Sequence, residues 1–315
     1  MVALRERIGG VRSEGRHPVA GVIAAAASVV VWGMSSVMIK QVDGVSGIVI
    51  SFHRLWIGAV LTSAGFLLTG GRFSRRLLRL ALPGGLAFGL DIVLFFSALQ
   101  KTTVANATII GALQPVLVLA IARRLFGESP RLTDAFWACV AIAGAVIVVV
   151  NATDAGRAGR EGDLLAVAAL FAWTWYFVAS KQARVELGSF EYLAGLSVVA
   201  ATAVTPVVLL MGEKLAVPQS SDWLIIVAIA VINGALGHFL MNWSHAHVPI
   251  VVVSIMTLAI PVFAAAAAAV FIDEPLTLAQ AGGMALVIAS LSIVVLRTSR
   301  TVPEVPEATE PPTAP

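Results

Sequence analysis

Charged residues are scarce in this chain. Asp, Glu, Lys and Arg make up 12% of its 315 residues, whereas a soluble protein carries about 25%. Cysteine is nearly absent too, because Cys139 stands alone, and this excludes an internal disulfide and a cysteine metal cluster. The net charge of +3 could suggest nucleic acid, but the basic residues lie mostly in short segments between apolar runs. The composition therefore predicts an integral membrane protein with no nucleic-acid partner.

The common motifs of nucleotide hydrolysis and of hydrolytic or metal catalysis are also missing. The sequence contains no GxxxxGK[ST] phosphate loop, so ATP-driven transport by this chain alone is not expected. It contains no HExxH, no GxSxG and no aspartate-rich cluster. We therefore expect no catalytic residue, no cofactor and no metal site. An intramembrane enzyme acting on lipids is the weakest of the alternative functions.

Long apolar segments take the place of these motifs. Ten of them approach the roughly 20 residues that a helix needs to cross a bilayer. In lipid they must be helical, because no backbone group can be left unpaired. The sequence thus predicts an all-α membrane protein, with close helix packing at Gly84-Gly85, at the alanines of 264–269 and at Gly282-Gly283. The predicted spans are 19–41, 46–69, 80–99, 103–126, 134–151, 163–184, 192–211, 223–244, 249–272 and 277–296.

The chain contains an internal duplication. Pro115 precedes Glu128 by thirteen residues, and Pro261 precedes Glu274 by the same distance, at an offset of 146 between the copies. Each half holds five predicted helices, an odd number, so the copies are expected to have opposite orientations in the membrane, as in many secondary transporters. The predicted organisation is an N-terminal segment (1–18), a first repeat (19–151), a linker (152–162), a second repeat (163–297) and a disordered tail (298–315).

The distribution of lysine and arginine predicts the orientation. With the N-terminus inside, fifteen of these residues lie on the cytoplasmic side and five outside, and Arg54 falls within a span. This excess predicts that both termini are cytoplasmic. The arginines of the first 18 residues, followed by an apolar run, could suggest a signal peptide. We expect a retained first span instead, because nine further spans follow a run of about 20 residues.

Motif residues are spread along nearly the whole chain: Trp32-Gly33, Lys40, Arg54, Pro115, Gly127-Glu128, Trp173, Tyr176, Lys181, Pro261 and Glu274. Together they resemble the drug/metabolite transporter superfamily and, within it, the EamA-type ten-helix group. One departure is Asp273, which stands where the first copy has Gly127. The resemblance implies a polytopic carrier, often an exporter of amino acids, metabolites or drugs, with a bacterial inner membrane as its expected location.

Pro115 and Pro261 are predicted to interrupt corresponding helices. A proline removes the hydrogen bond to the carbonyl four residues earlier, here that of Gly111 or Thr257. Paired interruptions in a transporter point to a central site about which the helices pivot, although each could also be a simple packing kink. For Glu128 and Glu274 we favour capping of the fifth and tenth helices over contact with a substrate.

Arg54, His53 and Asp91 are the titratable residues predicted to lie deep in the second and third spans. A charged side chain at this depth usually faces a cavity or a partner. We expect Arg54 and Asp91 to share the interior, as a direct pair or across water. Alternatively, Arg54 attracts a substrate carboxylate while Asp91 takes a coupling proton. His53 and His238 are further candidates for proton coupling.

Polar and aromatic side chains of four other spans complete the predicted binding site. His238, Asn242 and His245 follow helical spacing in the eighth span, although His245 and His247 are expected in a surface loop. Trp173 and Tyr176 share a face of the sixth span, and Trp32 holds the corresponding place in the first. Asn106 and Gln114 in the fourth span could bond a substrate or join helices. Lys40 and Lys181 are expected to extend to the membrane surface.

We therefore expect a secondary transporter that works by alternating access around a midplane site between the third, fourth, sixth, eighth and ninth helices. It would export small organic metabolites, amino acids or drugs across the plasma membrane, with or without proton coupling. A channel or a lipid scramblase is the alternative. The expected partners are a small-molecule substrate and the lipid bilayer, and a homodimer stays open.

Overall fold

The computed structural model describes residues 17–40, 42, 45–102, 104–128, 131–151, 159–211, 220–271 and 276–301. Within these ranges the chain is helical, and ten helices are long and apolar enough to cross a membrane. This confirms the predicted all-α membrane fold. Seven helices are continuous: α1 (Pro18–Lys40), α2 (Gly47–Leu68), α3 (Arg75–Lys101), α5 (Leu132–Val150), α6 (Arg160–Ala183), α7 (Ser189–Leu210) and α10 (Leu278–Thr301).

The other three helices are interrupted. α4 consists of Val104–Gly111 and Gln114–Phe126, with Pro115 in the first turn of the second piece. α9 consists of Ile250–Met256, the 3-10 turn Thr257–Ala259, and Ile260–Phe271, with Pro261 again near the start of the last piece. α8 consists of Ser220–Ala228, the π-helical segment Ile229–Gly237, and His238–His247. The π-helical segment was not predicted, because no proline marks it in the sequence.

Capping explains why α3 begins earlier than the predicted position 80. The hydroxyl of Ser74 accepts a hydrogen bond from the Leu77 amide at 3.1 Å, so the basic segment before the apolar run joins the helix. Ser46 caps α2 in the same way, accepting from the Val49 amide. An apolar pattern marks only the lipid-facing length of a helix, whereas the cap determines its first residue.

The packing of the helices relates the two halves. The third helix of each half packs on the first helix of the other half: α3 packs on α6, and α8 packs on α1. The pairs α2–α7, α4–α9 and α5–α10 each join corresponding helices. Gly283 of α10 and Gly144 of α5 meet so closely that a Cβ on Gly283 would lie 2.7 Å from the Gly144 carbonyl oxygen. Gly85 likewise meets Val199 of α7, whereas a Cβ added at Gly282 would have no atom of another helix within 4 Å.

Candidate functional site

A buried polar cluster lies where α1, α2, α6 and α8 meet. Arg54 of α2 is 5% exposed, and its Nη2 atom donates a hydrogen bond to Asn233 Oδ1 at 2.5 Å. The same nitrogen lies 3.4 Å from His238 Nε2. A buried charge in a membrane protein costs several kcal/mol unless partners satisfy it. The two side chains of α8 therefore hold the guanidinium group in the interior.

Asn233 connects three helices. Its Nδ2 donates to Ser35 Oγ of α1 at 2.8 Å, while its Oδ1 accepts from Arg54 of α2. Its backbone carbonyl accepts from Trp32 Nε1 at 3.3 Å. Asn233 and His238 are five residues apart, so an α-helix would point them about 140° apart. The π-helical segment changes this spacing and allows both to contact Arg54. Asn233 was not predicted, because a regular helix would point it away from His238. The weak helix formers Asn233, Gly234 and Gly237 were the available signal.

His238 is enclosed by hydrogen bonds and rings. Its Nδ1 lies 3.0 Å from the hydroxyl of Tyr176, which in turn donates to Asn242 Oδ1 at 3.4 Å. The rings of Phe88 and Trp32 have their centroids 4.5 and 4.8 Å from that of His238. One assignment satisfies every contact: Nε2 accepts from Arg54, Nδ1–H donates to Tyr176, and the tyrosine donates to Asn242. Tyr176, His238 and Asn242, predicted as site residues, are thus brought together.

Aromatic side chains of both halves form one wall. Trp32 of α1 and Trp173 of α6 hold corresponding positions, and their ring centroids are 5.1 Å apart in an edge-to-face arrangement. Trp173 also contacts Tyr176 at 5.5 Å and Phe177 at 4.7 Å. Such a wall suits the flat apolar part of a ligand. Trp173 therefore lies beside the polar cluster, as the helical spacing predicted.

Asp91 of α3 is also buried but does not pair directly with Arg54. No ion pair within 4 Å joins them in the described ranges, since the guanidinium group is bonded to Asn233 instead. Of the two arrangements we predicted, the direct pair is therefore wrong for this conformation. A bridged arrangement stays a prediction.

Three predicted site residues lie outside the cluster or outside the description. The ring of His53 contacts Phe52 and Trp223. Gln114 is fully buried at the α4–α9 junction, where its Oε1 accepts from Thr257 Oγ1 at 3.5 Å, so the two helix interruptions touch. The backbone of Asn106 lies in α4, but its side chain is outside the described part of the structure. We expected α4 and α9 to contribute to the site, but among the described side chains neither helix contributes one to the cluster. Side chains of α1 and α2 contribute instead.

A second polar contact, the latch, joins the halves near the end of α6. Glu128, placed just after α4 by the left-handed Gly127, accepts hydrogen bonds from the amides of Ile250 and Val251 at 3.0 and 3.3 Å. Its Oε1 lies 3.1 Å from Lys181 Nζ, which also donates to the Val248 carbonyl at 2.8 Å. Glu128 thus caps α9 and not the expected α5. Lys181 is held in this contact and does not simply extend to the membrane surface.

His245 corrects another prediction, and Glu274 lies outside the description. His245 is within α8, only 2% exposed, and packs on Phe177 at 4.9 Å, so it is not in a surface loop. His247 ends the helix and stacks on Trp243 at 3.9 Å. Glu274 falls among residues 272–275, and the predicted linker and tail also lie largely outside the described ranges. Within those ranges, no group of three or more His, Cys, Asp or Glu could hold a metal ion.

A small cavity adjoins the cluster between α2, α3, α7 and α8. The volume within which the centre of a water molecule can move is about 20 Å³, so the cavity holds about one water. Arg54, His238 and Phe88 are among the residues that line it. Ligand pockets for small molecules usually enclose about 300 Å³ or more. A substrate therefore requires the surrounding side chains or helices to move apart from the arrangement seen here.

Comparison with known proteins assigns this chain to a family. The model of the EamA-like transporter family matches residues 19–150 and again 160–296. The chain therefore belongs to the EamA-like transporter family and is a multi-pass membrane transporter. This confirms the resemblance to the drug/metabolite transporter superfamily.

Individual relatives agree with this assignment. An uncharacterized transporter of Archaeoglobus fulgidus is 25% identical over 87% of this chain and 95% of its own length. The aromatic amino acid exporter YddG of Ancylobacter novellus is 31% identical over 47% of this chain, and the match spans 51% of that exporter. A protein of known crystal structure shares the fold with a TM-score of 0.77 at 20% identity, over 90% of this chain and 99% of its own.

Proposed function

We propose that this chain is a secondary transporter that exports amphipathic aromatic molecules bearing a carboxylate, aromatic amino acids among them. One observation carries the proposal: a buried arginine of the first half contacts His238, around which aromatic rings of both halves are packed. Arg54 supplies a positive charge for a carboxylate, and Trp32, Trp173 and Phe88 supply ring contacts. The similarity to an aromatic amino acid exporter over about half of the chain supports the same substrate class.

Alternating access is the proposed mechanism. The cluster lies between the halves, and its cavity is too small for a substrate in this conformation. The latch joins the end of α4 in the first half to α6 and α9 in the second. The interruptions of α4 and α9 meet at Gln114 and Thr257, which suits Pro115 and Pro261 as pivots. Breaking the latch would let α9 and α6 move away from α4 and open a path to the cluster.

The inverted arrangement of the repeats is part of the proposal. The exchange symmetry of helix packing supports a two-fold relation between the halves. With five helices in each half, that relation requires opposite orientations in the membrane. The excess of lysine and arginine supports cytoplasmic termini, which places the latch on the cytoplasmic side of the plasma membrane.

Proton coupling, if present, would involve Asp91 or His238. Both are buried, and His238 lies 3.4 Å from Arg54. A proton arriving at either side chain would change the net charge of the interior in which the substrate carboxylate binds. The variant Asp91→Asn tests this role. We expect it to fold and bind substrate but to lose the dependence of transport on pH. An unchanged pH profile in this variant would rule out coupling through Asp91.

A thermal-shift screen of the detergent-solubilised protein tests the substrate class. We would compare L-tryptophan and L-phenylalanine with an aliphatic amino acid, a nucleoside and a sugar. A ligand at a hundred times its Kd stabilises the folded state by about 2.7 kcal/mol. We expect selective stabilisation by the aromatic carboxylates. Stabilisation by a nucleoside or a sugar alone would overturn the proposed class.

A further inference from the structure

We infer that the substrate carboxylate binds in the cavity between Gly58 and Gly234, where Arg54 and Ser197 are its donors and the two glycines limit its size. This subsite rests on the proposed function and specifies where the charged end of the substrate lies. Four helices build it, and nothing in the sequence pattern indicated either Ser197 or the glycines.

Arg54 has an unused donor on this side. Its Nη2 is bonded to Asn233, but its Nε is buried and has no hydrogen-bond partner. That nitrogen lies 3.8 Å from the point that a Cβ on Gly234 would occupy, at the wall of the cavity. An unpaired buried donor of a charged group costs at least about 1–3 kcal/mol. A carboxylate oxygen entering the cavity would satisfy it.

Ser197 of α7 supplies a second donor. It is 7% exposed and lines the same cavity. Its hydroxyl takes part in none of the hydrogen bonds found among the described residues, whereas most buried serines here bond a backbone carbonyl. A hydroxyl at the wall of a cavity without a protein partner can donate to a ligand or to water inside it. Two donors that line one cavity match the two oxygens of a carboxylate.

The glycines create the space. Gly58 is buried, yet a Cβ there would have no atom within 4 Å, so the open volume beside it is the cavity. At Gly234 the nearest atoms to an added Cβ are the Ile229 carbonyl oxygen at 3.5 Å and Arg54 Nε at 3.8 Å. A methyl group fits at either position without a clash, but it would occupy room that holds about one water.

Gly58→Ala, Gly234→Ala and Ser197→Ala test the subsite. The probes are 3-phenylpropionate, which has the carboxylate without an amine, and phenethylamine, which has the amine without a carboxylate. Affinities come from thermal-shift titrations. We expect each glycine variant to fold normally and to bind 3-phenylpropionate about tenfold more weakly, equivalent to about 1.4 kcal/mol. Ser197→Ala should weaken it several-fold, and any affinity for phenethylamine should stay within twofold.

Matched controls separate the subsite from general effects. Gly282→Ala adds a methyl group at another glycine where an added Cβ has no atom of another helix within 4 Å. Ser63→Ala removes a buried hydroxyl that also has no hydrogen-bond partner. Both should bind 3-phenylpropionate as the wild type does. Wild-type affinity in the three subsite variants would overturn the subsite and leave the proposed function intact. Failure of the wild type to bind any aromatic carboxylate would overturn the proposed function itself.

Discussion

At the scale of single residues, the cluster depends on Asn233. This side chain accepts from Arg54, donates to Ser35 and, through its backbone, accepts from Trp32. Its three bonds reach α1 and α2 from α8, so one amide positions the guanidinium group and the start of the aromatic wall. The identity of the residue matters because the amide accepts through Oδ1 and donates through Nδ2 within one planar group.

Asn233→Ala is therefore expected to weaken substrate binding and to destabilise the protein. The change leaves the buried Arg54 without its shortest bond, and an unpaired buried group costs at least about 1–3 kcal/mol. Thermal unfolding and the affinity for an aromatic carboxylate measure the two effects. Ser35→Ala is the control, because it removes the Asn233–Ser35 bond and the Ser35 bond to the Trp32 carbonyl but leaves the bond between Arg54 and Asn233 in place. Equal affinity in Asn233→Ala and the wild type would show that Asn233 does not position Arg54.

Residue types predicted part of this site. A buried arginine in a span must find partners, and aromatic and polar residues at helical spacing share a face, so Arg54, Trp173, Tyr176, His238 and Asn242 could be selected. Partner choice could not be predicted, because it depends on which helices are neighbours. Arg54 bonds Asn233 of α8 and not Asp91 of α3 for this reason.

At the scale of helices, the interruptions of α4 and α9 could be predicted because proline removes a backbone hydrogen bond. The π-helical segment of α8 could not, because it alters hydrogen bonding without a proline or a change in hydrophobicity. The cap made by Glu128 was assigned to the wrong helix for a similar reason. Proximity in sequence favoured α5, whereas the fold brings the start of α9 to the carboxylate.

Glu128→Gln is expected to loosen the latch. The amide oxygen can still accept from the α9 backbone, but the charge interaction with Lys181 is lost. In a Cys139→Ala background and in inside-out membrane vesicles, His245→Cys should react faster with a membrane-impermeant thiol reagent when Glu128→Gln is present. The matched control is Glu161→Gln, which breaks the exposed Lys101–Glu161 ion pair at the opposite end of α6. Equal acceleration by both changes would contradict a latch at Glu128.

The contact between α5 and α10 gives a second prediction at this scale. A Cβ added at Gly144 would lie 2.8 Å from the Gly283 carbonyl oxygen, so the two backbones are in close contact. Gly283→Val should therefore separate these helices and destabilise the protein. Gly282→Val should have little effect, because a Cβ at this neighbouring position has no atom of another helix within 4 Å. Thermal unfolding of the two variants measures the difference. A similar loss in both would contradict close packing at Gly283.

At the scale of the whole molecule, composition was enough to predict a membrane protein of ten helices. The repeated spacing from proline to glutamate predicted two halves, and the family matches each half separately. Sequence could not tell which helices surround the site. That information comes from packing: α1 lies on α8 and α3 on α6, so the polar cluster forms from helices that are distant in sequence.

Membrane topology tests the inverted arrangement. In a Cys139→Ala background, cysteines introduced by Thr153→Cys or Leu215→Cys should be labelled from outside intact cells by an impermeant reagent. A cysteine introduced by Glu304→Cys should be labelled only after the membrane is opened, because the basic residues favour cytoplasmic termini. Protection of both loop positions in intact cells would contradict the proposed orientation.

The most direct test of the account is counterflow of radiolabelled L-tryptophan in proteoliposomes loaded with unlabelled L-tryptophan. We expect saturable uptake by the wild-type protein and at least a tenfold loss in Arg54→Gln, which removes the charge and keeps a polar side chain. The flip rate of a fluorescent lipid, measured in the same vesicles, should match that of protein-free vesicles. Absence of saturable uptake by folded wild-type protein, or equal uptake by Arg54→Gln, would contradict a carrier that binds its substrate at Arg54.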